Sequence, residues 1–304
     1  MIGPARRGVG LAASAFQARP RPVAAVATAL RQRAVLGETE NRPWPVPDRP
    51  WLMGQTWRHL LFAHWQVDVD VLARVVPPQL PLDLHDGTAW LGVTPFRVEG
   101  LRLRGTPPAP VISRFLEVNV RTYIDYGGRP GIYFLSLDAN SRFAVAGARR
   151  TYRLPYFRAR QSLSEDGGRF RFRSERVSAD GPAAELDGTF IASGARFEAK
   201  PGTLEHFLTE RYCLYTLAEG GTVQRGEIHH PPWPLQPAHA TIDVNTMASG
   251  YGLELAGEPL AHYAGLQDVV LWAIEPLSGG GGRNQRRHHR ESGGDSEAGE
   301  TALR

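Results

Sequence analysis

Residues 114–123 read RFLEVNVRTY, and this stretch decides the fold. Side chains alternate across a strand, so Leu116, Val118, Val120 and Thr122 share one face and Glu117, Asn119, Arg121 and Tyr123 share the other. The first face suits a core. The second sets four hydrogen-bonding side chains in a row, with Glu117 and Arg121 about 13 Å apart along an extended chain. Two readings of it stand side by side. One is the solvated outer surface of an amphipathic strand; the other is a polar wall inside a barrel, where Arg121 binds a carboxylate or other anion.

Working outward, the same grammar of short strands and tight turns continues. Gly127-Gly128 leads into a second strand at 131–137, and Pro107, Pro108 and Pro110 mark a loop before the first. Upstream, 56–67 reads as a long strand or strand pair, and 69–76 as a short helix stopped by Pro77-Pro78. Asp86-Gly87 is a hairpin signal ahead of the apolar run 89–96. Downstream, 141–150 suits a helix capped near Asn140 or Asp138. Strands are expected at 156–164 and 169–177, flanking the turn Glu165-Asp166-Gly167-Gly168, and at 187–193, 211–217, 223–229, 238–246 and 261–274, with a helix over about 201–210. Many short strands and few isolated helices predict an α+β domain on an antiparallel sheet or barrel.

The chain has 304 residues, 42% hydrophobic and 22% charged, enough for a sizeable core. Its net charge of +4 is unevenly spread: residues 1–42 carry seven Arg against two acids, and 278–304 five Arg against four. Residues 43–277 are left near −2, without the basic excess of a nucleic-acid binder. The Arg- and Ala-rich start and the Gly- and charge-rich end are both expected to be disordered tails flanking one domain over 43–277. An Arg-rich tail that holds nucleic acid would betray itself by a salt-dependent affinity. Cys213 is the sole cysteine, which excludes an intramolecular disulfide and a Cys-based zinc site. No apolar run reaches the ~18 residues of a membrane span. Arg6-Arg7 before GVGLAASAF has the outline of a twin-arginine export signal, yet the apolar stretch is short and more arginines follow, so a cytoplasmic protein is expected.

The strings LPLDLHDGTAWLGVTPF, SRFLEVNVRTY, GIYFLSLDA, LPYFRA, GTLEHFLTERYCLYT and HHPPWPLQ, taken together and in order, resemble the YqjF-like family of unknown function. The resemblance covers most of 43–277. It implies the fold of acetoacetate decarboxylase, a strand-rich, barrel-like α+β domain enclosing a cavity, with a few short helices. In the decarboxylase a lysine forms a Schiff base with the keto group, a second lysine lowers its pKa, and a glutamate and an arginine place the substrate. The segment GIYFLSLDANSRFAVAGARRTYRLPYF is similar to the decarboxylase's lysine-bearing one, but Tyr156 and Phe157 follow Pro155 here. Lys200, the only lysine, lies elsewhere with no neighbouring amine, so Schiff-base chemistry is not expected. Glu117 falls where the resemblance places the glutamate, and Tyr156 would line the cavity with its hydroxyl.

Other candidates read as structural. His229 and His230 point oppositely on an extended segment and do not chelate one metal readily, and no metal-binding spacing occurs. Either ring could serve as an acid or base, but a hydrogen-bonded histidine at a rigid Pro-rich turn is the simpler reading. Glu205 and Glu210 read as Arg-paired carboxylates, and Cys213 as a small buried residue. No phosphate loop or nucleophile elbow is present. The expectation is therefore a small-molecule-binding protein for an anionic ligand, with Glu117, Asn119, Arg121, Tyr123 and Tyr156 as contacts and no cofactor or metal. The rival is a structural or interaction domain whose cavity is filled.

Overall fold

The computed structural model describes residues 22–109 and 112–277. Twelve strands carry the fold: β1 (Met53–Val67), β2 (Ala89–Leu103), β3 (Phe115–Asp125), β4 (Pro130–Ala139), β5 (Tyr156–Asp166), β6 (Arg169–Arg176), β7 (Glu185–Ala192), β8 (Cys213–Leu217), β9 (Val223–His229), β10 (Leu235–Asn245), β11 (Leu260–Leu271) and β12 (Glu275–Pro276). Four helices accompany them: α1 (Pro22–Ala34), α2 (Val69–Val75), α3 (Arg142–Tyr152) and α4 (Leu204–Thr209). The turn chemistry reads as expected at Asp86-Gly87 and Gly167-Gly168, where paired positive φ angles make tight hairpins.

Strand pairing closes two rings that share the wall β4-β3-β2-β1-β11. Nine strands close one ring through β10, β7, β6 and β5; seven close the other through β9 and β8. This arrangement explains why β3 is buried along nearly its whole length although its two faces differ in chemistry. Leu116, Val118 and Val120 pack with Phe170, Phe172, Leu186 and Phe190 of β6 and β7. Tyr123, on the opposite face, packs with Leu214 of β8 and Ile228 of β9. The Glu117 face therefore looks into the seven-stranded ring.

A bulge sets which side chains of β1 join that interior. Pro95 has no N–H to give to the β1 ladder, and the β1–β2 register shifts opposite it, between Arg58 and Ala63. His59 takes the slack with φ 51°. The slip changes the parity of β1, so Trp57 and then Leu60 and Phe62 belong to one interior cluster.

Three sequence expectations need correction. The cap of α3 is Ser141, whose Oγ accepts from Ala144 N at 3.2 Å. Asn140 is engaged elsewhere, accepting from Leu116 N at 2.9 Å. The helix expected from Pro201 begins only at Leu204, after a turn, with Thr203 as cap. Most important, the start of the chain is not all a tail. Residues 22–42 are packed against the wall, while 1–21 and 278–304 lie outside the described residues. Gln32 is completely buried; its amide donates to Thr56 Oγ1 (3.3 Å) and Gly100 O (3.0 Å) and accepts from Arg102 Nε (2.8 Å). Gly54 and Gly100 make its seat, since a Cβ at either would collide with Gln32 or Thr28. Arg42, its side chain 1% exposed, bonds Glu227 at 2.8 Å and Ile228 O at 2.6 Å. Composition misled here because few apolar residues, Val35 and Leu36 among them, pack on the domain, while Gln32, Arg42 and the glycine seats supply the other anchors.

Deleting residues 1–42 is accordingly expected to lower the melting temperature by more than ~5 °C, about 2 kcal/mol for a domain of this size. The loss stays moderate because Arg225 (2.9 Å) and Arg129 (3.6 Å) still neutralise Glu227. An unchanged melting curve would mean that the α1 contacts contribute nothing. No helix among the described residues is long and apolar enough to cross a membrane.

Candidate functional site

The β-ladder stacks the interior side chains in rungs, because residues directly opposed in antiparallel strands point to the same face. One rung holds Phe96, Glu117 and Ala139; the next Thr94, Asn119 and Leu137, with Tyr156 of β5 beside Leu137; the third His64, Gly92 and Arg121. Glu117, Asn119, Arg121 and Tyr123 are 5%, 5%, 7% and 0% exposed, and Tyr156 is half-buried.

Glu117 accepts a hydrogen bond from Tyr156 Oη at 2.9 Å. Burial pushes its carboxyl up to about 7, against the pull of hydrogen bonds from Tyr156 and Asn119, with Asp138 adding repulsion. Its stabilising neighbours are thus hydrogen-bond donors and not Arg121. Burial, together with Glu117, holds the Tyr156 phenol well above its ordinary value, so it stays a neutral donor.

Arg121 reaches the end of α4, donating from Nη2 to Leu208 O at 3.1 Å. Its guanidinium lies 5.1 Å over the Phe62 ring and 6.0 Å from the Tyr123 ring. Among the described residues no carboxylate pairs with it, and its buried Nε has no partner. Tyr123 Oη donates to the same Leu208 carbonyl at 2.9 Å and lies 2.7 Å from His64 Nε2. Since a carbonyl only accepts, Tyr123 spends its proton there, and His64 Nε2 must be the protonated nitrogen. His64 Nδ1 is then an acceptor without a partner. Burial, with Arg121 and His262 nearby, keeps this imidazole well below its usual range and neutral. Gly92 gives the ring its place, as a Cβ there would lie 3.0 Å from it.

Sequence reading missed four members of this interior. His64, Thr94 and Phe62 acquire their places only from strand register and the bulge. Trp233, in the Pro-rich turn after His230, stacks 5.9 Å from Trp57 and meets Phe62 edge-on at 4.9 Å; its indole N–H has no partner.

With that geometry in place, likeness to known proteins becomes informative. Residues 54–268 match DUF2071, a family of uncharacterized conserved proteins. The chain belongs to this family. The uncharacterized protein YqjF of Bacillus subtilis (strain 168) is 44% identical over 234 residues, covering 77% of this chain and 96% of the relative. The fold of this chain is similar to that of acetoacetate decarboxylase-like enzymes. The enduracididine biosynthesis enzyme MppR complexed with pyruvate superposes with a TM-score of 0.54 at 14% identity, over 78% of this chain and 93% of that one. Acetoacetate decarboxylase from Legionella pneumophila gives 0.52 at 13%, over 81% and 95%. An acetoacetate decarboxylase-like enzyme from Sphingomonas wittichii RW1 gives 0.53 at 11%, over 76% and 94%. Identities this low show shared architecture alone.

Within this DUF2071 domain, Lys200 is exposed in the turn before α4. The remaining candidates are structural. His229 Nε2 donates to Val35 O at 2.9 Å and His230 Nδ1 donates to Pro231 O at 2.7 Å; burial pushes both rings down to about 4. Glu210 is not Arg-paired as expected: it accepts from Tyr212 Oη and from Trp233 N, anchoring the Pro-rich turn. Arg211, next to it, pairs instead with Asp83. Cys213 is buried, its thiol pushed up to about 12. No group of three or more His, Cys, Asp or Glu among the described residues is arranged to hold a metal. A surface cavity of about 1150 Å³ lies between α1 and the loops around Trp51 and Gly105 and contains none of the rung residues.

Proposed function

We propose that this DUF2071 protein binds a small organic anion in its seven-stranded ring, with Arg121 as the anion holder and Glu117 as the acid–base group of any reaction. The observation that carries this reading is an arginine 7% exposed whose side chain meets the Leu208 carbonyl but no carboxylate among the described residues. A buried lone cation costs several kcal/mol, and one helix-end carbonyl and two aromatic faces offset only part of that. A fold tolerates such a residue where a ligand completes it. Glu117, near neutrality at about 7, can both give and take a proton there. Asn119 lies between the two, Tyr156 fixes the carboxyl of Glu117, and Tyr123 braces the Leu208 carbonyl that holds Arg121. MppR, of the same architecture, is described complexed with pyruvate, which supports a small carboxylate.

A Schiff base is not part of the proposal, because Lys200 is exposed and alone. Borohydride reduction in the presence of acetoacetate should leave Lys200 unmodified; a reduced adduct there, lost in Lys200→Arg, would reinstate amine chemistry.

The test of the anion site is calorimetric titration with pyruvate and short carboxylates. Arg121→Met is expected to abolish binding while the unliganded protein keeps or gains stability, since methionine removes an unpaired buried charge. The rival, a structural domain with a filled ring, draws support from the packing of Trp57, Phe62, Phe96 and Trp233. Carboxylate affinity unchanged by Arg121→Met would decide for it.

A further inference from the structure

We infer that the ligand is a hydroxycarboxylate, its hydroxyl seated between Asn119 Oδ1 and Thr94 Oγ1 while its carboxylate meets Arg121. The inference rests on the anion-site reading and adds the chemistry of the second group. Thr94 and Asn119 are directly opposed across β2 and β3, 1% and 5% exposed, and point into the ring. Neither Thr94 Oγ1 nor Asn119 Oδ1 has a hydrogen-bond partner among the described residues. Asn119 Oδ1, an amide oxygen, can only accept, whereas the Thr94 hydroxyl can both donate and accept.

That asymmetry selects the ligand group. A hydroxyl donates its proton to Asn119 Oδ1 and accepts the proton of Thr94, leaving nothing unpaired. A ketone satisfies Thr94 but sets one acceptor against another at Asn119. An unsubstituted chain leaves both polar atoms buried and unpaired, the situation in which a site built for a hydroxyl discriminates most.

The two subsites are within reach of one small molecule. Arg121 stands one rung from Asn119, about 7 Å along the strand. Its guanidinium lies 5.1 Å over the ring of Phe62, the neighbour of Ala63, which pairs with Val93 beside Thr94. A 2- or 3-hydroxy acid spans that interval, and the rings of Phe62, Phe96 and Trp233 suit an apolar or aromatic remainder.

The experiment is calorimetric titration of the full-length protein with matched triplets. These are lactate, pyruvate and propionate; 3-hydroxybutyrate, acetoacetate and butyrate; and phenyllactate, phenylpyruvate and phenylpropionate. Within the triplet that binds, the hydroxy acid should bind at least about tenfold tighter than its keto and unsubstituted partners. Thr94→Val, which keeps the shape, and Asn119→Leu should each lower hydroxy-acid affinity by at least about tenfold, levelling the triplet. If all three members bind alike, or the keto acid binds tightest, while Arg121→Met still abolishes binding, the hydroxyl assignment is overturned and the anion site stands. If no triplet binds, both fall together.

Discussion

Arg176→Met is expected to cost about 3–5 kcal/mol of unfolding free energy, the range for stripping a buried charge of its partner. Arg176 on β6 grips Asp138 on β4 with two bonds, Nε to Oδ2 at 2.8 Å and Nη2 to Oδ1 at 2.7 Å. Both side chains are fully buried. The guanidinium also lies 4.1 Å over the Phe157 ring and donates to Pro182 O at 2.9 Å. This pair ties the β5-β6-β7 sheet to the shared wall, one residue along β4 from the rung that carries Asn119 and Leu137. Methionine keeps much of the volume but leaves the Asp138 carboxylate in the interior alone. The double replacement Asp138→Leu with Arg176→Met should recover most of the loss, because the desolvation cost disappears with both charges. Urea denaturation of the two variants measures both effects. A single-variant loss below ~1 kcal/mol would mean that water reaches the pair.

The second large effect is on the pH dependence of stability, through Glu117. Its carboxyl titrates at about 7 in the folded protein against 4.5 when unperturbed. Below pH 4.5 both states are protonated and the contribution is complete. As pH rises the unfolded chain ionises first, so stability drains away until the folded value near 7 is passed. The gap between 4.5 and about 7 corresponds to about 3 kcal/mol. Glu117→Gln cannot ionise and still accepts from Tyr156. The variant should match the parent near pH 4 and exceed it by about 2–3 kcal/mol at pH 8. His229 and His230 work in the opposite sense: with both held near 4, their contribution is lost as pH falls from about 6.5. They are common to both proteins and cancel in the difference. A flat difference curve from pH 4 to 8 would show that Glu117 is solvated and sink its role as a near-neutral acid or base.

Much of this molecule is written locally. Alternation in FLEVNVRTY assigned Leu116, Val118 and Val120 to one side of β3 and Glu117, Asn119 and Arg121 to the other, because strand geometry has a period of two whatever surrounds it. Asp86-Gly87 and Gly167-Gly168 announced their hairpins because positive φ is cheap chiefly for glycine and tolerated by Asp and Asn. Local reading could not say that both faces of β3 are covered. That follows from a wall shared by two rings, set by pairings such as Leu137 with Tyr156 and Val270 with His229, between residues far apart in the chain. The same limit hid the seat of α1, since Gly54 and Gly100 meet Gln32 and Thr28 only once β1 and β2 lie side by side. The sequence by itself therefore determined the strand-rich class, the turns and the polar row on β3. Only the tertiary structure decided that Arg121 is buried without a carboxylate among the described residues, that Glu117 leans on Tyr156, and that Thr94 and Trp233 join them, because hydrogen-bond satisfaction and desolvation are properties of surroundings assembled from distant segments.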